Sequence, residues 1–109
     1  MQMTEPPLPG ILADIAAVAG REAAIDTAAA FGGLTMHIPA PENVNGHELG
    51  RVLGEERALL ISLHFKGEQI YIPMARRHVI RRMHSHGAGK REIARRLAVS
   101  YRTVHRLLK

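Results

Sequence analysis

Residues 67–77 of this 109-residue chain read GEQIYIPMARR, a stretch that joins the two parts of the predicted fold. Residues Gln69 to Ile72 alternate as in a short strand, and Pro73 ends the strand because proline lacks a backbone donor. The residues on both sides have helical patterns. Because a lone strand cannot pair its own backbone groups, the sequence requires a second strand.

The chain before Gly67 supplies such a strand through an apparent internal repeat. Shifting the sequence by 34 residues places Gly20 on Gly54, Phe31 on Phe65, Gly33 on Gly67, Ile38 on Ile72 and Pro39 on Pro73. Each copy reads helix, glycine, helix, glycine, strand, proline. Helices are predicted at 9–19, 21–31, 47–53 and 55–65, with a strand at 34–38 and a loop at 40–46. The strand at 69–72 therefore pairs with a like strand, in this chain or in a second copy of it.

The two faces of the predicted strands differ in polarity. Ile70 and Ile72 share an apolar face, and Gln69 and Tyr71 share the opposite one, since alternate residues of a strand point the same way. The first strand repeats this arrangement with Met36 and Ile38 against Thr35 and His37. The polar face is either solvated or a contact surface.

Charge is divided unevenly along the chain. Residues up to Pro73 contain four Lys or Arg and nine Asp or Glu, a net charge of −5. Residues from Met74 onward contain eleven Lys or Arg and one acidic residue, Glu92, a net charge of +10. These sum to the +5 of the whole chain, and they indicate a polyanionic partner for the C-terminal part.

Three helices are predicted in this basic part, at 75–86, 90–97 and 101–108, separated by HGAG and AVS. In the first helix Val79, Ile80 and Met83 fall on one face. The arginines are expected on the outside of this helix, at Arg76, Arg77, Arg81 and Arg82.

The second and third of these helices, KREIARRLAVSYRTVHRLL, have a helix-turn-helix pattern. Ala94 is the small residue where two helices cross, Val99 fills the turn and Ser100 is a suitable N-cap. The turn commonly has glycine where Ala98 stands, and a positive φ at this alanine would cost about 1 kcal/mol. An ordinary helical bundle with a solvated basic face is the alternative interpretation.

A helix-turn-helix places its last helix in the major groove, where arginine bonds guanine bidentately and other basic residues hold phosphates. The polar strand face, if it is a contact surface, would add Gln69 and Tyr71 to the residues that bind DNA. The predicted DNA-binding residues are Gln69, Tyr71, Arg76, Arg77, Arg81, Lys90, Ser100, Tyr101, Arg102, Thr103, His105, Arg106 and Lys109.

Other classes of function find little support in the sequence. The absence of cysteine excludes disulfides and thiol-rich zinc sites, and no apolar run reaches the ~20 residues of a membrane span. The histidines lack a carboxylate placed to complete a metal site, so neither a metal nor a cofactor is expected. No catalytic constellation is present, which argues against an enzyme. A cytoplasmic location is the default expectation because the N-terminus lacks a signal-peptide pattern.

Three segments together resemble the Mor transcription activator family, the middle-operon regulators of Mu-like phages. They are IAAVAGREAAIDTAAAFGGLTMHIP, GEQIYIP and REIARRLAVSYRTVHRLL, and the resemblance extends from about Leu8 to Leu108. It implies a homodimer that binds an imperfectly palindromic promoter site and activates transcription through host RNA polymerase. It also implies that the GEQIYIP strand lies near the dimer dyad and that Tyr71 matches a position associated with DNA binding. With the two helix-turn-helix units in successive major grooves, a strand face at the dyad would lie over the minor groove between them.

The sequence thus predicts a mainly α protein with short β-strands. Residues 1–8 are expected to form a flexible tail, 9–73 a dimerisation region of helices and strands, and 74–109 a three-helix helix-turn-helix domain. The homodimer is also expected because each small unit has a modest core and the strands need partners. A non-activating DNA binder, such as a repressor or an architectural protein, and the DNA-binding subunit of a recombinase-type enzyme remain alternatives.

Overall fold

A computed structural model of the chain describes residues 7–109 and shows a mainly helical protein with one short antiparallel sheet. Residues 1–6 of the predicted tail lie outside the described part, and Leu8 is buried. The elements are α1 (Ile11–Ala19), α2 (Arg21–Phe31), β1 (Thr35–His37), a 3-10 helix (Pro41–Gly46), α3 (Glu48–Leu53), α4 (Glu55–Phe65), β2 (Gln69–Tyr71), α5 (Arg76–Ser85), α6 (Lys90–Leu97) and α7 (Tyr101–Leu107).

The chain forms two compact units, of which the first ends at Ala75 and the second spans Arg76–Lys109. In the first unit, single glycines separate α1 from α2 and α3 from α4. Gly20 and Gly54 have φ values of 100° and 88°. An L-residue with a side chain adopts this region only at a cost in free energy. The fully buried side chains of this unit include Leu12, Ile15, Ile38, Leu49, Ile61 and Ile72.

β1 and β2 pair with each other, so each predicted strand finds its partner inside the chain. The opposed residues are Met36 and Ile70 at the centre, flanked by Thr35 and Tyr71 on one side and His37 and Gln69 on the other. Both strands are shorter than predicted. The residues at their ends form backbone hydrogen bonds that do not follow the regular antiparallel pairing. A second copy of the chain is not needed to complete the sheet. The need for a strand partner therefore no longer supports the predicted homodimer.

Residues Pro41–Gly46 form a 3-10 helix, so the prediction of a loop over residues 40–46 was wrong. Pro41 occupies a first-turn position, where its missing N–H and fixed φ suit helix initiation. Val44 buries its side chain, which anchors the turn to the core. At the next helix, the Nδ1 atom of His47 accepts a hydrogen bond of 3.0 Å from the backbone N–H of Leu49 and so caps α3.

Gly50 is required by a close approach of α3 to the 3-10 helix. A Cβ atom added to Gly50 would overlap the backbone carbonyl oxygen of Val44, whereas one added to Gly46 would meet nothing within 4 Å. We therefore expect Gly50→Ala to lower the free energy of unfolding by about 1–3 kcal/mol, the usual range for overpacking. Gly46→Ala, the matched control, should change it by less than about 0.5 kcal/mol. Urea unfolding followed by circular dichroism measures both, and equal stabilities would contradict the close approach.

The second unit packs three short helices around a small core. Ile80, Ile93, Ala94 and Val104 are buried, and the partly buried side chains against them are Met83, Ala88, Leu97, Val99, Leu107 and Leu108. α5 begins at Arg76 instead of Ala75, because Ala75 has a φ of 47° and cannot continue a right-handed helix. No helix within residues 7–109 has the length and apolar character needed to cross a membrane.

Candidate nucleic-acid interface

The turn between α6 and α7 has well-defined backbone geometry. Ala98 lies in the left-handed region, with φ 56° and ψ 44°. The N–H of Val99 donates to the carbonyl of Ala94 at 3.0 Å, and the N–H of Ala98 donates to that of Arg95 at 3.3 Å. These two bonds form the Schellman arrangement that commonly ends helices, and Val99 packs beside the core. The turn therefore has a fixed direction despite its length of three residues.

Ala98 is the position at which this turn can be stabilised. A left-handed conformation is strained for alanine and unstrained for glycine, so we expect Ala98→Gly to raise the free energy of unfolding by about 0.5–1 kcal/mol. Ala94→Gly, four residues earlier inside α6, should lower it by about 1 kcal/mol because glycine disfavours a helix interior. Thermal unfolding of both variants tests this expectation, which fails if the two substitutions shift stability in the same direction.

Ser100 begins α7 as its N-cap. Its Oγ atom accepts a hydrogen bond of 3.0 Å from the backbone N–H of Thr103, and it also donates to the hydroxyl of Thr103 at 3.0 Å. Both hydroxyls were predicted to bind DNA. The structure places them together at the start of α7, with Ser100 engaged in capping the helix.

One side of α7 is buried and the opposite side is basic. Val104 is fully buried, while the exposed residues of this helix and its end are Tyr101, Arg102, His105, Arg106 and Lys109. This division follows from the helical period, since Val104 lies on the face opposite to that of Arg102 and Arg106. The predicted reading residues thus share one exposed surface.

Side chains from α6 extend this surface. The Nζ atom of Lys90 lies 2.9 Å from Nδ1 of His105, which must accept this bond because an ammonium group only donates. The guanidinium of Arg91 lies 5.5 Å from the ring centre of Tyr101, within cation–π range. The rings of Tyr101 and His105 are nearly parallel, with centres 6.3 Å apart. These contacts hold the N-terminal half of α7 to the start of α6.

Arg91 was not among the residues predicted from the sequence. Its contact with Tyr101 depends on how α6 and α7 cross, which the helical period of one element does not reveal. The Oε2 atom of Glu92 lies 3.5 Å from the Nη1 atom of Arg96. This ion pair is exposed and is expected to have little effect on stability.

The arginines of α5 divide into two groups. Arg76 and Arg77 are exposed, whereas Arg81 and Arg82 are half-buried, so the expectation that all four lie outside was wrong for the second pair. Long arginine side chains commonly lay their methylene groups along an apolar surface while the charged end reaches water. The Arg81 side chain is therefore less accessible to solvent than those of Arg76 and Arg77.

The sheet of the first unit presents a second exposed polar surface. Gln69 and Tyr71, both predicted to bind DNA, are exposed, and Tyr71 is 57% exposed. The register places His37 opposite Gln69 and Thr35 opposite Tyr71, and these two side chains are exposed as well. Thr35 and His37 were not predicted as binding residues, although the 34-residue shift maps them onto Gln69 and Tyr71.

Within the described residues there is no group of three or more His, Cys, Asp or Glu side chains placed to hold a metal ion. Neither a protein-family model, nor a curated protein, nor a solved structure matches the chain. The resemblance to the Mor family therefore rests on the sequence motifs.

Proposed function

We propose that this protein binds double-stranded DNA in a sequence-specific manner and that α7 is the helix that enters the major groove. The observation that carries the proposal is the exposed basic side of α7, fixed to α6 by a structured turn and by a buried Val104. A net charge of +10 after Pro73 would be unfavourable in so small a unit without a polyanion.

The basic residues divide into two kinds by position. Arg102 and Arg106 lie on the outer side of α7, where a guanidinium bonds the O6 and N7 atoms of guanine. The other basic residues would hold phosphates and so position the protein without reading sequence. They include the exposed Arg76, Arg77, Arg91 and Lys109 and the partly buried Arg81 and Lys90.

Transcription activation is the biological role that the resemblance to the Mor family supports, with RNA polymerase as a second partner. A repressor or an architectural protein would use the same DNA-binding surface. In vitro transcription from a promoter that carries the binding site distinguishes these roles, because only an activator increases transcript yield. A recombinase subunit would instead be revealed by cleavage or rejoining of the bound duplex.

The experiment that tests DNA recognition is selection of bound duplexes from a random pool, followed by binding measurements at several salt concentrations. We expect a recovered motif that the chain prefers over unrelated duplex by about 10³-fold or more. Affinity for both should fall as salt rises, because phosphate contacts release counterions. Recovery of no motif would contradict sequence-specific binding.

The exposed sheet face is proposed to contribute further contacts to DNA. Tyr71→Phe removes one hydroxyl and Gln69→Ala removes one amide, so each should weaken binding of the selected site about fivefold, the effect of one hydrogen bond of about 1 kcal/mol. Asn45→Ala, an exposed substitution outside the sheet, is the control and should bind as the parent does. If all three bind equally well, the sheet face is solvated and has no part in recognition.

A further inference from the structure

The two halves of the first unit have the same backbone conformation at equivalent positions. Gly20 has φ 100° and ψ 156°, and Gly54, 34 positions later, has φ 88° and ψ 159°. Gly32 and Lys66 end their helices with φ values of −57° and −51° and ψ values of 135° and 134°. The repeat suggested by the sequence is therefore a structural repeat.

Burial is duplicated in the same way. Phe31 and Phe65, which end α2 and α4, are 6% and 4% exposed. The pair Ile15 and Leu49 is fully buried, and so are Ala24 and Ala58. Each copy of the helix–helix–strand unit thus contributes equivalent side chains to one shared core.

The hydrogen bonds between the copies are reciprocal. The N–H of Gly33 donates to the carbonyl of Ile72 at 2.7 Å, and the N–H of Gly67 donates to that of Ile38 at 3.1 Å. Likewise, Ile38 donates to Glu68 and Ile72 donates to Leu34, both at 2.9 Å. Exchanging the two copies converts the first bond of each pair into the second.

The strand register has the same symmetry. Exchanging the copies turns the pair Thr35–Tyr71 into the pair Gln69–His37 and leaves Met36–Ile70 as it is. A pseudo-two-fold axis therefore passes between Met36 and Ile70. Reciprocal contacts of this kind define the isologous interface of a two-fold dimer, here formed within one chain.

The two copies lead into different segments of the chain. Pro39, which ends the first copy, leads into the 3-10 helix and the second copy. Pro73, which ends the second, leads into the basic unit that contains α7. A two-fold pair of separate chains would carry two reading helices, whereas this internal pair carries one.

We propose that one copy of the chain is the DNA-binding species and that its target is an asymmetric site read by a single helix-turn-helix, with the internal pseudo-dimer taking the place of a second subunit. This inference rests on the proposed function. It replaces the expected homodimer on a palindrome, because the strand partner that the sequence left open between this chain and a second copy lies within this chain.

A cysteine pair tests the internal pairing without DNA. The chain contains no cysteine, and opposed residues of an antiparallel pair lie at Cα distances that a disulfide can span. In the full-length Thr35→Cys/Tyr71→Cys variant we expect oxidation to close a disulfide within the chain, seen as the loss of two hydrogens from a monomer of unchanged size. Thr35→Cys/Gln69→Cys, whose residues are not opposed, is the control and should close far more slowly. Covalent dimers from the first variant would overturn the inference.

Binding stoichiometry tests the second half of the proposal. Sedimentation of the full chain with a selected duplex should give one chain per duplex, and the selected motif should lack an inverted repeat. Two chains on an inverted repeat would overturn the single-copy site. This holds also if the two chains dimerise through the exposed Leu60 and Leu63 of α4. Recovery of no motif, together with an internal disulfide, would instead overturn the proposed function and leave the pseudo-dimer supported.

Discussion

Replacing Arg102 by alanine is expected to weaken binding of the selected site by about 5- to 150-fold, which corresponds to the 1–3 kcal/mol of one bidentate arginine–guanine contact. Arg102 is exposed in the first turn of α7, two residues after the N-cap Ser100. In helix-turn-helix proteins the N-terminal residues of this helix face the base edges. Binding of unrelated duplex should change little, so the variant should also lose its preference at one base pair.

Arg77→Ala is the matched control. Arg77 is exposed on α5, outside the helix-turn-helix pair. As a phosphate contact it should contribute equally to all duplexes, and its removal should flatten the slope of log affinity against log salt by about one. Titrations of both variants against selected and unrelated duplexes, at three salt concentrations, measure the contrast. Equal losses on every duplex for both variants would contradict a reading role for Arg102.

The sequence was sufficient to predict most elements of the fold, because glycine and proline mark their ends. Gly54 separates two helices and Pro73 lies just beyond the last strand, as their backbone preferences require. The 3-10 helix was missed since its polar composition and Pro41 also suit a loop. The strand partner could not be decided, because a pattern of alternation specifies a face but not the strand that pairs with it.

The sequence predicted those parts of the candidate site that depend only on the helical period of a single helix. Val104 fixes the inner side of α7, and the exposed positions of Arg102 and Arg106 follow from it. The contact of Arg91 with Tyr101 and the half-burial of Arg81 depend on how helices cross. Neither could be inferred from the spacing of residues along a single element.

Ile93→Ala is expected to abolish DNA binding by unfolding the second unit. Ile93 is fully buried among Ile80, Ala94 and Val104, and replacing a buried isoleucine by alanine costs about 2–5 kcal/mol. The unit has one small core, and a core of this size rarely supplies more than about 3–5 kcal/mol. The loss is therefore comparable to the stability that the unit can have.

Because the cores of the two units are formed by different residues, this substitution should act on one of them. We expect the helical signal of Ile93→Ala to fall by the contribution of α5 to α7, while the signal of the first unit persists to the urea concentration at which it unfolds in the parent. Ile93→Val, which removes one methylene at a cost of about 0.5–1.5 kcal/mol, should remain folded and bind DNA.

Ile15→Ala supplies the reciprocal comparison, since Ile15 is equally buried but lies in α1 of the first unit. It should lower the urea midpoint of the first unit and leave the transition of α5 to α7 in place. If the selected site is then bound with undiminished preference over unrelated duplex, base recognition belongs to the second unit. If Ile15→Ala and Ile93→Ala instead unfold the whole chain in one transition, the units depend on each other for stability and the separate cores do not imply separate folding.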